Sequence, residues 1–408
     1  VTTLDATRHT DVAIVGGGLA GSLAAAMLGR AGIGTVLIDP HPAYPADFRC
    51  EKLDGFQTGV LAKTGLLDHV RQAATPDGEC WIARFGRVVD RRPGDQLGIM
   101  YDTLVNTIRA AIPTTVAFVH GKASEIATSA DRQQIRLASG ETISARLVVL
   151  ANGLNVGLRQ KLGMERQIIS AGHSISIGFD AKPVDRPAFG FPALTYFNER
   201  PAERMAFVSL FPIGSVMRAN LFGYRDMHDP WLRQLRAEPQ QTLYASMPRL
   251  RRLMGDFVVT DFLKIRPVDL YVTHGHRQAG VVLVGDAFST SCPAAGTGAR
   301  KALVDVERLC NLHIPQWLAT PGMGKDKIAA FYDDPDKLAT DTYSHAKAYS
   351  LRSFSVETGL RWRAERFGKF VAHRGIGLFR QLRGREAPPA DDQPDAHAGS
   401  SARPLPIP

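Results

Sequence analysis

Three glycines in the stretch GGGLAG, Gly16, Gly18 and Gly21, follow the apolar run Val12 to Val15 and precede an Ala/Leu-rich segment. Glycines at this spacing do three jobs when a chain must lie against a pyrophosphate. The first makes a tight turn, the second lets the backbone approach the phosphates, and the third lets helix and strand pack closely. Leu19 and Ala20 open the helix, whose first N–H groups have no partner within it and can bind phosphate. Asp39 closes the next apolar run, Thr35 to Ile38, where a carboxylate can accept from ribose hydroxyls. Together these residues predict an ADP-containing cofactor, without separating one dinucleotide from another.

A second site of this kind lies far along the chain, in VVLVGDAFSTSCPAAGTGARKALVDVERL. The apolar run Val281 to Val284 ends at Gly285-Asp286, and a loop holding Pro293, Gly296 and Gly298 opens a helix through Leu303 and Val306. An acid at a strand end and a helix N-terminus aimed at the same place can hold the polar edge of a cofactor. One such turn is ordinary; two so far apart favour a single extended cofactor. A third turn, in VVLANGLNVGLR, carries the apolar Val148 to Leu150 into Ala151-Asn152-Gly153, with Arg159 following. Asn-Gly after an apolar run is a tight turn because both residues tolerate positive φ.

Other reactive side chains are scattered. Cys50, Cys80, Cys292 and Cys310 have no metal-ligand spacing, and His274 and His276 have no third ligand in view, so no metal is expected. His173, in AGHSISIG, is a weak candidate for a substrate base, and Pro293 a weak candidate for a place beside the reacting centre.

The elements that must hold these residues follow from pattern. The chain of 408 residues is 44% hydrophobic and 22% charged, as ordinary globular proteins are. No apolar run approaches the roughly 20 residues that span a bilayer. The N-terminal stretch lacks a basic region and an apolar core of signal-peptide type, and with scattered thiols this predicts a cytoplasmic protein. The segment 75–97 reads as a hairpin and 101–112 as a helix, with short strands around Ala117, Gln134 and Leu147. From 168 to 272 the chain alternates with period 2, as one-sided sheets do, around a helical interlude at 229–255. Its aromatic residues supply candidate walls for a substrate pocket: Trp81, Phe191, Tyr196, Phe207, Phe211 and Phe222. The net charge of +9 is concentrated in the segment 359–385. That segment reads as a helix whose stripe Leu360, Ala364, Phe367 and Val371 packs inward and leaves the arginines in solvent. Basic charge interleaved with aromatics can mean nucleic acid or an anionic membrane surface; a weak membrane-surface contact stays open, and no nucleic acid is expected. Residues 386–408 are Pro/Ala/Asp/Ser-rich and are expected to be disordered.

The paired motifs GGGLAG with Asp39, and VGDAFSTSCPAAGTG, resemble the class A flavoprotein monooxygenases of the para-hydroxybenzoate hydroxylase fold, over roughly residues 1–310. The resemblance implies an α/β fold. A glutathione-reductase-type, Rossmann-like FAD-binding domain would span 1–75, 98–165 and 276–330. An inserted β-sheet substrate domain would take 76–97 and 166–275, with a C-terminal helical region over 331–385. It implies FAD as cofactor, with Gly16, Gly18 and Gly21 at the pyrophosphate and Asp39 at the adenosine ribose. Asp286 of the Gly285-Asp286 pair would reach the ribityl chain, while Pro293, Gly296 and Gly298 lie along the flavin and Arg49 reaches phosphate or ribose.

The family's Ala-Asp-Gly motif falls on Ala151-Asn152-Gly153. Asn152 therefore replaces an acid associated with both the pyrophosphate and the route of NADPH or NADH. Phe288 and Ser289 replace a small residue and a histidine, and Tyr101 stands where relatives carry a basic or amide group. The activity implied is insertion of one oxygen atom of O2 into a small aromatic or unsaturated substrate through a flavin C4a-hydroperoxide. A separate flavin reductase is the other source of electrons. Sister activities on the same fold are a reductase, a halogenase or a cyclase acting on a lipid or secondary metabolite. The tryptophan pair of the halogenases is absent, since Trp81, Trp231, Trp317 and Trp362 are isolated.

Overall fold

A computed structural model describes residues 8–383; the tail 386–408 lies outside the described residues. Two large sheets divide the chain. The first has Arg8–Val15 at its centre, parallel to Thr35–Asp39 on one side and to Thr142–Leu150 on the other. Ala117–His120 extends it at one edge, and the antiparallel Gln133–Leu137 and Ala123–Ala127 at the other. The short strand Val281–Leu283 joins the C-terminal half of Thr142–Leu150 in parallel, Val148 facing Val281. Parallel strands need helices on their faces, and the buried Leu19–Arg30 and Gly298–Arg308 supply that cover within one continuous core.

Because parallel strands point the same way, Arg8–Val15, Thr142–Leu150 and Val281–Leu283 all end at one edge. The three turns singled out in the sequence therefore meet there. The distance between them along the chain is irrelevant once the strands pair.

The second sheet is built on Glu165–Pro183, a 19-residue strand. Its order runs Phe257–Val259, Glu165–Pro183, Val216–Gly223, Met205–Ile213, Ala193–Phe197, Glu79–Arg84, Arg87–Pro93, with Lys264–His274 also on the long strand. The hairpin at 79–93 thus belongs to this sheet, through parallel pairing of Glu79–Arg84 with Ala193–Phe197. The interlude helices, with Trp231, Leu232, Leu235 and Leu243, cover one face and bury Ile177, Leu194, Tyr196, Val208 and Leu221. The opposite face looks toward the first sheet. A buried Glu51–Arg218 pair ties the two units: Arg218 donates to both carboxylate oxygens at 2.7 and 2.9 Å, and to Asp180 at 3.0 Å.

The C-terminal helix Leu360–Arg383 corrects the sequence reading. Its inward face is Arg366, Phe370 and Gly377. Arg366 donates to the Phe354 carbonyl at 2.8 Å, and Phe370 meets Phe85 edge-on at 5.4 Å. A Cβ on Gly377 would stand 2.3 Å from the Val89 carbonyl oxygen, so only glycine lets the helix lie this close. The stripe expected to face inward faces out: Leu360 is 81% exposed, Phe367 65% and Val371 51%. An apolar stripe shows that a helix has two faces, and the docking contacts here come from the other one. Among the described residues no helix is long and apolar enough to cross a membrane.

Candidate cofactor and substrate site

The glycine loop is shaped by contacts no side chain would tolerate. Gly16 has φ of +104°, and a Cβ there would lie 2.6 Å from the Ala151 carbonyl oxygen. A Cβ on Gly21 would lie 1.8 Å from the carbonyl oxygen of Gly16. The first contact presses the loop against Ala151-Asn152; the second presses the helix on the loop. Gly18 is the N-cap of Leu19–Arg30, and no side chain caps that end. A buried helix N-terminus without a cap is a ready site for an anion.

Asp39 is engaged on the protein side. It accepts from the Gly17 N–H at 2.7 Å and the His41 N–H at 2.9 Å, and Arg109 lies 3.2 Å away. A carboxylate offers about four lone-pair directions, so one remains for a ribose hydroxyl. Arg109 also donates to the Gly17 carbonyl, and sits near the rings of Tyr44 and Phe118. Sequence reasoning missed it, because nothing in YDTLVNTIRA marks the arginine among others.

The second loop is held as firmly. Gly285 donates its N–H to buried Asp305 at 2.9 Å. Arg49 ion-pairs with Asp286 at 3.0 Å and lies near the ring of Tyr101, bringing together two candidate cofactor residues from opposite ends of the chain. Tyr101 is buried, and the Leu19 N–H points at its hydroxyl from 3.4 Å. Pro293–Ala295 form a single turn that ends at Gly296, in the left-handed region with φ of +68°. Gln57 fixes that turn by donating to the Gly296 carbonyl at 2.9 Å. Its own signal was legible: Asp54 and Gln57 form a capping box at the start of Gly55–Lys63. Gly298 begins Gly298–Arg308, whose N-terminus again has no side-chain cap.

Arg159 joins the third turn to the second. Nearly fully buried, it donates to the Ala287 carbonyl at 2.6 Å, to Thr273 at 3.0 Å and to the Gly153 carbonyl at 3.2 Å. Asn152 donates to the Asn155 carbonyl at 3.1 Å, while its Oδ1 is buried with no partner. This orphaned acceptor lies beside Gly16. The three loops, two uncapped helix ends and one spare carboxylate direction fit an elongated dinucleotide carrying a pyrophosphate.

The substrate candidates fall on two sides of the second sheet. Tyr196 and Phe191 are buried in the helix-covered layer and Trp81 packs against it, so these three are core of that layer and not pocket walls. Alternation along a strand sends neighbours to opposite faces, and Trp81 and Tyr196 have the parity of the helix side. Phe207 and Phe222 face the other way, packed in one cluster with Cys292, Ala294 and Ala295 of the second loop. Phe211 shares their face but sits beside Cys80, Ile82 and Lys52.

His173 is buried between Tyr224 and Tyr349, with Nδ1 at 3.2 Å from Ser170 and Nε2 without a partner. Burial, helped by the charge of Arg352, pulls its pKa down to about 4, so it is neutral at physiological pH. Cys292 is buried, its thiol pushed up by that burial. Phe288 and Ser289 do not shape a pocket. Phe288 packs on His276 and Tyr332 in the core, and Ser289 accepts from buried Lys301. No cluster of metal-binding type occurs among the described residues.

Residues 9–314 match the family described as FAD binding domain. Aklavinone 12-hydroxylase of Streptomyces peucetius subsp. caesius is 26% identical over 333 residues, 72% of this chain and 65% of that protein. The chain thus spans about two thirds of that relative's length. The 3-demethoxyubiquinol 3-hydroxylase of Escherichia coli is 26% identical over 332 residues, 75% of this chain and 80% of the relative. In fold, the chain is similar to p-nitrophenol 4-monooxygenase from Pseudomonas putida, with a TM-score of 0.71 at 19% identity over 93% of this chain and 100% of the other.

Proposed function

We propose that the chain, which belongs to the FAD-binding domain family, is an FAD-dependent monooxygenase that hydroxylates a small aromatic compound. The observation that carries the substrate class is the wall formed by Phe207 and Phe222 against Cys292, Ala294 and Ala295. This is an apolar aromatic surface beside the loop expected to follow the flavin. FAD, when bound, supplies the redox chemistry that activates O2. The protein supplies the rest. Gly16, Gly18 and Gly21 with the start of Leu19–Arg30 hold the pyrophosphate, Asp39 and Arg109 the adenosine side, and Asp286 with Arg49 the middle of the cofactor. Backbone N–H groups around Gly296 and Gly298 face the ring system. The apolar cluster around Phe222 keeps water from the reacting atoms, which oxygen transfer requires.

In this reading the first sheet is the cofactor unit, and the second sheet with its hairpin is the substrate unit. The two-electron donor is NADPH or NADH, with a separate flavin reductase as the other source. Under anaerobic conditions one nicotinamide should bleach the visible absorbance of bound FAD, faster with a phenolic substrate present. Hydroxylated product should then appear when air is admitted. If neither nicotinamide reduces the protein although dithionite does, electrons come from the separate reductase. An Asn152→Asp variant is then expected to gain nicotinamide oxidation, since it restores the acid at that turn. Reoxidation that yields only hydrogen peroxide with every aromatic offered would count against a hydroxylase.

The outward face of Leu360–Arg383 favours one partner. Leu360, Phe367 and Val371 are exposed, and Arg361, Arg363 and Arg374 beside them are exposed too. A basic helix with an exposed apolar stripe suits an anionic lipid surface. Vesicles containing phosphatidylglycerol should carry the protein in flotation, and phosphatidylcholine vesicles should not. Phe367→Glu with Val371→Glu should abolish the difference. Equal flotation on both vesicle types, or retained binding by the double variant, would refute the contact.

A further inference from the structure

Arg84 ends the strand Glu79–Arg84 and is only 6% exposed. Among the described residues its guanidinium makes no ion pair, and its Nε is buried without a hydrogen-bond partner. It lies 3.8 Å from the ring centroid of Phe197 and 5.5 Å from that of Phe354. Burial, with no charge opposing it, pulls its pKa down to about 10. Other deeply buried cations have partners: Arg218 has Glu51, Arg159 has four oxygens, and Lys337, in the helix Pro335–Val356, has Asp305 and Asp341. A buried cation without an anion is unfavourable, and ring faces return only part of the hydration it has lost.

Its position gives this vacancy a use. Ala83 belongs to the helix-covered layer, so Arg84 points to the opposite face of the sheet, beneath Phe354. Strand register places it in a row. Tyr196 pairs with Ala83, so Phe197 is level with Arg84; Phe197 pairs with Phe207, and Phe207 with Phe222. The rings of the three phenylalanines follow one another, with centroids at 5.6 and 5.0 Å. The row Phe222, Phe207, Phe197, Arg84 therefore crosses four adjacent strands, aromatic beside the Cys292–Ala295 loop and cationic at its far end. With strands about 4.8 Å apart it covers roughly 14 Å of backbone, long enough for an aromatic compound with a charged end.

We propose that Arg84 binds a carboxylate, or an anion of like geometry, on an aromatic substrate lying along Phe222, Phe207 and Phe197. The inference rests on the hydroxylase reading and deepens it. Calorimetric titration of the FAD-loaded protein with two matched pairs, benzoate and benzamide, 2-naphthoate and 2-naphthamide, tests it directly. In at least one pair the carboxylate should bind about tenfold tighter or more than its amide, the size of a charge-assisted hydrogen bond. Arg84→Met should bring that ratio near one, and Arg84→Lys should keep part of it, because the charge stays while the two-pronged geometry is lost.

Thermal unfolding separates a binding residue from a strut. Without ligand, Arg84→Met should melt at or above the wild-type temperature, since an unpaired charge has been removed. A wild-type protein that favours the carboxylate in neither pair, or an Arg84→Met protein that keeps the ratio, overturns the proposal. Wild type that holds FAD and yields hydroxylated product on other aromatics, yet fails the pair test, sinks only this inference. Wild type that holds no FAD sinks the reading beneath it.

Discussion

Gly21→Ala is expected to yield folded protein largely without FAD. The added Cβ would stand 1.8 Å from the Gly16 carbonyl oxygen and 3.0 Å from its carbon. Backbone against backbone has no rotamer by which to yield, so the loop must move by more than an ångström. Gly16 itself packs so closely on Ala151 that a Cβ there would lie 2.6 Å from the Ala151 carbonyl oxygen, so it has little room to retreat in that direction. The N–H groups aimed at the pyrophosphate lose their alignment. Overpacking of this kind costs about 1–3 kcal/mol in structure alone, and misplaced phosphate contacts add to it. A fall in FAD affinity of about 100-fold or more is expected, equal to about 2.7 kcal/mol. The FAD-to-protein absorbance ratio after desalting measures it, and far-ultraviolet circular dichroism shows whether the fold persists. Stoichiometric FAD at wild-type affinity would mean that the loop does not hold the pyrophosphate.

Lys337→Met is expected to produce the largest loss of stability. Lys337 is 1% exposed and reaches Asp305 at 2.9 Å and Asp341 at 3.0 Å; Lys301 also pairs with Asp341, at 3.0 Å. Two lysines and two aspartates balance in a site closed to water, between Gly298–Arg308 and Pro335–Val356. Removing one partner of such a pair costs about 3–5 kcal/mol, because the remaining charge stays buried. Urea unfolding of the apoprotein reads this loss. The added substitution Asp305→Asn should restore much of it while still offering an oxygen to the Gly285 N–H.

The sign with pH is also fixed. In Lys337→Met, burial without the lysine raises the carboxyl pKa in the native state above its unfolded value. The native state then binds more protons, and the deficit grows as pH rises through that range and shrinks toward acid. A single variant as stable as wild type at neutral pH would show that the network carries no load.

What could be read from the chain followed from what each residue needs. Glycines that require φ above zero or a bare Cα, at Gly16, Gly21 and Gly296, announce their loops, because another residue would clash at the first two and be strained at the third. The partners that hold those loops were not legible. Arg109, Asp305 and Lys301 act across separations of 12 to 92 residues, and an arginine on a polar helix face looks like any other. The pocket aromatics were half legible. Period-2 alternation separates Tyr196 from Phe197, but it does not say which face meets helices and which meets the cofactor. Only strand register and the placement of Trp231, Leu232 and Leu235 decide that. The terminal helix failed for the same reason: the pattern Leu360, Ala364, Phe367, Val371 defines a face without naming what lies against it.

The pairing of Val148 with Val281 has a consequence for the order in which the protein is made. Arg8–Val15 can pair with Thr142–Leu150 as soon as the latter leaves the ribosome, yet the last strand of that sheet arrives only after the whole second sheet has been synthesised. Non-local parallel pairing is slow, and exposed strand edges invite misassembly while they wait. The Gly285-Asp286 turn and the clamp from Arg159 to Ala287 exist only once Val281–Leu283 has docked. The cofactor groove therefore has only one end until Val281–Leu283 has been made, and the inserted sheet folds beside a nascent, ligand-free half.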